Sequence, residues 1–132
     1  MIQLRLDTKS GVPPYLQLVQ QVTHALRMGI LEIGDQLPTV KEVAAALAVN
    51  PNTVLKAYRE LEYTGFVEGR PGVGTFVTRL PPGPPPNAHL TLARSLSRWL
   101  DKARSVGLDD QAIEALVRSA LQAHGGLGEG AA

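Results

Sequence analysis

Apolar residues recur at spacings of three and four through Tyr15, Leu18, Val19, Val22, Ala25 and Leu26, which predicts an amphipathic helix opened by Pro13-Pro14. Gly29 and Gly34-Asp35 end it and lead through a turn to Leu37-Pro38. A second helix follows, with Thr39 as N-cap, Glu42 three residues later, and an apolar face of Val40, Val43, Ala44 and Leu47. After the break Ala48-Val49-Asn50 a third helix begins, capped by Asn50 with Pro51 at its first position. Val54, Ala57, Tyr58 and Leu61 form its stripe, and Gly65 is placed to end it. Phe66-Val67-Glu68 and Thr75-Phe76-Val77-Thr78 read as the strands of a hairpin, and the alternation Ile2-Leu4-Leu6 predicts a third short strand. Three helices with a tight break between the last two, then a hairpin, make a winged helix-turn-helix over residues 1–80.

The pattern changes at Pro81-Pro82-Gly83-Pro84-Pro85-Pro86-Asn87, a semi-rigid linker over 81–87. Beyond it, 88–124 reads as two helices. Leu92, Ala93, Leu96, Trp99, Leu100 and Ala103 stripe the first and Gly107 breaks it. Asp109 or Asp110 caps the second, with Ile113, Leu116, Val117, Ala120 and Leu121 on its apolar face. The glycine-rich end, 125–132, has little to bury and is expected to be disordered. Two helices of this size bury too little to stand alone, so they are expected to pair with a second copy. The expected dimerisation residues are Leu92, Leu96, Trp99, Leu100, Ile113, Leu116, Val117 and Leu121. The fold class is mainly α with a small β wing: a winged helix-turn-helix followed by a two-helix dimerisation segment.

Composition narrows the function. Hydrophobic residues make up 44% of the 132, enough for a core, and no apolar run approaches the ~18–20 residues of a membrane span. No charged-then-apolar leader opens the chain, and cysteine is absent, so the expectation is a cytoplasmic protein without disulfides or thiol chemistry. The net charge of +1 announces no nucleic-acid binder. Any binding of DNA must come from positive charge gathered on one face. His24, His89 and His124 are scattered without ligand-like spacing, so neither metal nor cofactor is expected. Asp109-Asp110 read as caps rather than a catalytic pair, and Trp99 as core or seam. Gly72-Val73-Gly74-Thr75 lacks the Gly-Lys-Ser/Thr of a phosphate loop and lies inside a hairpin. Nothing supplies a nucleophile with a base, so an enzyme is not expected.

Four blocks in register carry a family resemblance: Leu37-Pro38-Thr39-Val40-Lys41-Glu42-Val43-Ala44, Asn50-Pro51-Asn52-Thr53-Val54, Ala57-Tyr58-Arg59-Glu60-Leu61-Glu62 and Gly72-Val73-Gly74-Thr75-Phe76-Val77. Over roughly residues 10–78 the chain resembles the GntR family of bacterial transcription regulators. The short segment after position 80, with Asn50-Pro51-Asn52-Thr53, resembles its YtrA branch, in which that segment mainly dimerises the protein. Thr39 and Lys41 stand where Ser and Arg are common, and Ala48 where Gly is frequent. Pro51 and Leu55 replace positions often basic elsewhere, so no arginine-based base code is carried over.

The resemblance implies a homodimeric regulator on a double-stranded, pseudo-palindromic operator, repressing by promoter occlusion, often of its own operon and a neighbouring membrane transporter. The third helix then enters the major groove by its N-terminus. Asn52 is the better candidate to read bases. Asn50 is at least as well explained as a cap, and Thr53 packs on thymine or reaches a phosphate. Thr39 and Lys41 open the second helix toward a phosphate. Lys56 and Arg59 face solvent, Arg59 with Glu60 or Glu62 as alternative partners. Arg70, Gly72, Gly74 and Thr75 form the DNA-facing wing, its glycines allowing close approach or serving the turn alone. Two alternatives stay open: a sensor taking a small-molecule effector at the C-terminal dimer interface, and a winged-helix adaptor for proteins that binds no DNA.

Overall fold

The computed structural model describes residues 2–131, with side chains through Gly125. The chain folds as α1 (Pro14–Met28), α2 (Val40–Leu47), α3 (Pro51–Thr64), β1 (Val67–Arg70), β2 (Gly74–Val77), α4 (Pro86–Ser105) and α5 (Asp110–Ala131). It divides into two compact units, one up to Leu90 and one from Thr91.

The stripes expected on α1 and α3 are the core of the first unit. Leu18, Val22 and Leu26 of α1 and Val54, Ala57 and Leu61 of α3 are fully buried. Val43 and Ala44 of α2, Leu31, Leu37, Val67 and Val77 complete the same cluster. Each buried Leu or Val side chain among them contributes on the order of 1.5–3 kcal/mol by leaving water. Tyr58 is buried among them and donates its phenol hydrogen to the Pro38 carbonyl, tying α3 to the entry of α2.

The helix ends form as the sequence indicates. The Thr39 hydroxyl accepts the Glu42 N–H at 3.1 Å and donates to the Glu42 carboxylate at 3.0 Å. Asn50 Oδ1 accepts the Asn52 N–H at 2.9 Å. Ala48 ends α2 in the left-handed region, φ 54 and ψ 46, and among the described residues no other non-glycine has positive φ. Arg79 was not foreseen as a cap. Its guanidinium donates to the Thr64 carbonyl at the end of α3 and lies 5.4 Å from the centre of the Phe66 ring.

β1 and β2 pair antiparallel, Val67 opposite Val77 and Arg70 opposite Gly74. A third element joins them from an unexpected part of the chain. Gln36 bridges to Phe76, with Leu37 N–H donating to Thr75 O and Val77 N–H to Asp35 O, each at 2.8 Å. The strand expected at Ile2-Leu4-Leu6 is not formed. These residues pack partly buried on the core, but glutamine side chains take the place of a partner strand. Gln21 Oε1 accepts Arg5 N–H and its Nε2 donates to Arg5 O, while Gln17 Oε1 accepts Asp7 N–H and its Nε2 donates to Asp7 O. A primary amide carries the same donor and acceptor as a peptide group, so each glutamine satisfies one residue of extended backbone.

Two further boundaries differ from expectation. Pro86 and Asn87, assigned to the linker, begin α4, because proline is as well suited to a first helical turn as to a polyproline spacer. In the second unit Gly107 separates α4 from α5, Asp109 Oδ1 accepts Ala112 N–H at 2.8 Å as the cap, and Asp110 instead pairs with Arg104 at 2.9 Å. Gly125, the first residue of the expected disordered tail, lies within α5. The rest of that expectation falls on residues outside those described with side chains.

Candidate nucleic-acid interface

Every residue singled out for DNA contact is exposed or half-exposed, and none belongs to the core. They fall on three neighbouring features of one unit: the N-terminal end of α2 (Thr39, Lys41), the first two turns of α3 (Asn50, Asn52, Thr53, Lys56) with Arg59 beyond, and the hairpin (Arg70, Gly72, Gly74, Thr75). Their local environments separate them.

Asn50 and Asn52 divide the work at the start of α3. The Asn50 side-chain oxygen is occupied as a cap, whereas the Asn52 side chain is exposed and makes no hydrogen bond among the described residues. The Thr39 hydroxyl is likewise committed to Glu42, so its end of α2 offers backbone N–H groups rather than a free hydroxyl. Lys41 projects to solvent beside it, without an ion pair among the described residues. Arg59 also makes none, so neither Glu60 nor Glu62 holds it.

Lys56 is not a free surface lysine. Its ammonium lies 4.0 Å from the centre of the Tyr15 ring at the start of α1, a cation–π contact that fixes the charge between α1 and α3. The reading of α3 alone missed Tyr15, since only the tertiary packing of α1 on α3 brings the pair together. Arg70 is fixed in the same way. Its guanidinium lies 4.6 Å from the centre of the cross-strand Phe76 ring and 3.7 Å from Glu68, and it remains about half exposed.

The two wing glycines do different things. Pro71 and Gly72 occupy the corner closed by Val73 N–H donating to Arg70 O at 3.0 Å, and Gly72, at φ 74, has open space where a side chain would stand. Gly74, at φ 146, has none: a Cβ there would collide with the side-chain amide of Gln36. Its missing side chain therefore makes room for this protein's own Gln36.

In the second unit, Leu92, Leu96, Leu116 and Leu121 are 67%, 52%, 48% and 68% exposed, and Trp99, Leu100 and Val117 are half-buried. Ile113, placed with them on the expected seam, is instead buried near the turn between the helices, as is Ala103. No helix of the described residues is long and apolar enough to cross a membrane.

The bacterial regulatory protein model of the gntR family matches residues 14–77, from the first residue of α1 to the last of β2. HTH-type transcriptional regulator Rv1152 of Mycobacterium tuberculosis is 41% identical over 105 residues, 80% of this chain and 83% of that protein. HTH-type transcriptional repressor YtrA of Bacillus subtilis is 43% identical over 75 residues, 57% of this chain and 58% of that one. Among solved structures, the GntR-family factor YtrA from Sulfolobus acidocaldarius aligns with a TM-score of 0.53 at 30% identity, over 72% of this chain and 94% of that one. The DNA-binding domain of AraR in complex with operator ORE1 aligns with a TM-score of 0.50 at 26% identity, over 59% and 95%. With the winged helix-turn-helix formed by the residues that carry these matches, the chain belongs to the GntR family, with YtrA-type relatives, and is a DNA-binding transcription regulator rather than an enzyme.

Proposed function

We propose that this regulator is a cytoplasmic homodimeric repressor that occludes a promoter by binding a pseudo-palindromic operator, each winged helix reading one half-site. The observation that carries the reading is the start of α3: capping is done by Asn50, which leaves the Asn52 side chain exposed, and unpaired among the described residues, at the end of the helix that enters a groove. Thr53 flanks it, and Thr39, Lys41, Lys56, Arg59 and Arg70 supply phosphate or minor-groove contacts. The exposed leucines of α4 and α5 support pairing of two copies, since an uncovered apolar face of this kind is costly in water. Two-fold pairing places the half-sites about one helical turn of DNA apart. The seam between two such hairpins is also where a small-molecule effector would bind, because two helices of one chain enclose too little volume.

The test is a gel-shift titration against the DNA upstream of the protein's own gene, at two salt concentrations. The expected result is a shift that survives competitor DNA and weakens as salt rises, since neutralised phosphates release counterions. Failure to enrich any sequence from a random duplex pool would overturn the operator reading.

A further inference from the structure

Gln36 lies outside every motif that marked the interface, yet it is the residue that reaches furthest along the wing. Residues 34–37 run along the free edge of β2. Gly34 N–H donates to Val77 O, Leu37 N–H to Thr75 O, and Val77 N–H to Asp35 O. The backbone hydrogen bonds end with Leu37, opposite Thr75 and short of the hairpin tip. The Gln36 side chain supplies one more donor in the same direction, its Nε2 donating to the Val73 carbonyl at 3.3 Å. It occupies the space that a side chain on Gly74 would need. Val73, in turn, closes the corner with Arg70 through its own N–H.

We infer that Gln36 is a positioning residue for DNA binding: it pins the wing tip to the edge of the helical core and so holds Arg70 where it meets the duplex. The inference rests on the reading of Arg70 as a DNA contact. A two-stranded hairpin of four-residue strands is marginal by itself. Once the tip is unpinned, only a fraction of molecules presents the wing correctly, and apparent affinity falls by that fraction. Gln36 is exposed and outside the core, so its loss leaves global stability nearly unchanged.

Gln36→Met keeps the length of the side chain and removes the donor; Gly74→Ala would displace the same amide but also strain the backbone. The full chain, Gln36→Met, Arg70→Ala and the double variant are titrated against a duplex selected by the full chain from a random pool. Gln36→Met is expected to bind about three- to tenfold more weakly, the worth of one modest hydrogen bond, with an unchanged melting midpoint. Amide exchange at Val73 in the free protein should quicken. The double variant should bind no more weakly than Arg70→Ala, because both changes remove one wing contact. Unchanged affinity in Gln36→Met beside a weakened Arg70→Ala overturns the positioning role and leaves the wing reading intact. Fully additive losses also overturn it, since Gln36 would then act apart from Arg70. An Arg70→Ala variant that binds like the parent overturns the wing reading, and this inference with it.

Discussion

At Ala48 the chain must take a left-handed conformation to turn from α2 into the approach to α3, and it does so with a Cβ that disfavours it. Ala48→Gly removes a strain on the order of 1 kcal/mol. The expected outcome is a melting midpoint raised by a few degrees, measured by circular dichroism; a lowered midpoint would show that the turn is not strained. At the interface, Asn52→Ala is expected to relax preference at particular base pairs. Lys41→Ala is expected to weaken binding to all sequences and to reduce the salt slope by about one phosphate contact, both read by binding to a panel of duplexes. Tyr58 carries a pH signature. Burial first, and then the charge of Glu42, push its phenol well above its ordinary range. The folded chain therefore keeps a proton that the unfolded chain releases near pH 10. Its contribution is intact below that pH and is lost as pH rises above it. Denaturant midpoints should fall as pH rises above about 10, and part of that fall should vanish in Tyr58→Phe.

Among the elements, α1, α2 and α3 were legible because their apolar spacing and their caps point to the same segments. The N-terminal segment was not. Alternation at Ile2, Leu4 and Leu6 correctly marks which side faces the core, but it says nothing about what satisfies the backbone between them. That is done by Gln17 and Gln21, sixteen or fewer residues away in sequence, polar positions on a helix marked by its apolar stripe. Gln17 is buried and also donates to Ser10 Oγ and Val12 O. Gln17→Leu is therefore expected to cost about 1–3 kcal/mol, by leaving backbone groups without partners. Hydrogen exchange at Asp7 N–H should rise in step, and protection equal to the parent's would mean that another group holds the segment. The wing was legible as a hairpin, but its third edge was not, because Gln36 reads as part of a turn.

For the whole molecule, the decisive question is what covers the leucines of α4 and α5. Leu96→Asp with Leu116→Asp is expected to give a monomer by sedimentation, without a large loss of helix in circular dichroism, because both positions are about half exposed. Affinity for an isolated half-site should persist in that variant while affinity for paired half-sites collapses. A dimer that survives both substitutions would place the seam elsewhere.

The amino-acid sequence by itself determined the winged helix-turn-helix, its family and the ends of its helices, because periodicity, capping and turn chemistry act over a few neighbouring residues. Only the tertiary structure decided how these candidate residues are engaged. It turned Lys56 onto Tyr15 and Arg70 onto Phe76, and gave the space above Gly74 to Gln36. These contacts join residues on different elements, and a contact of that kind exists only once the core has brought the elements together.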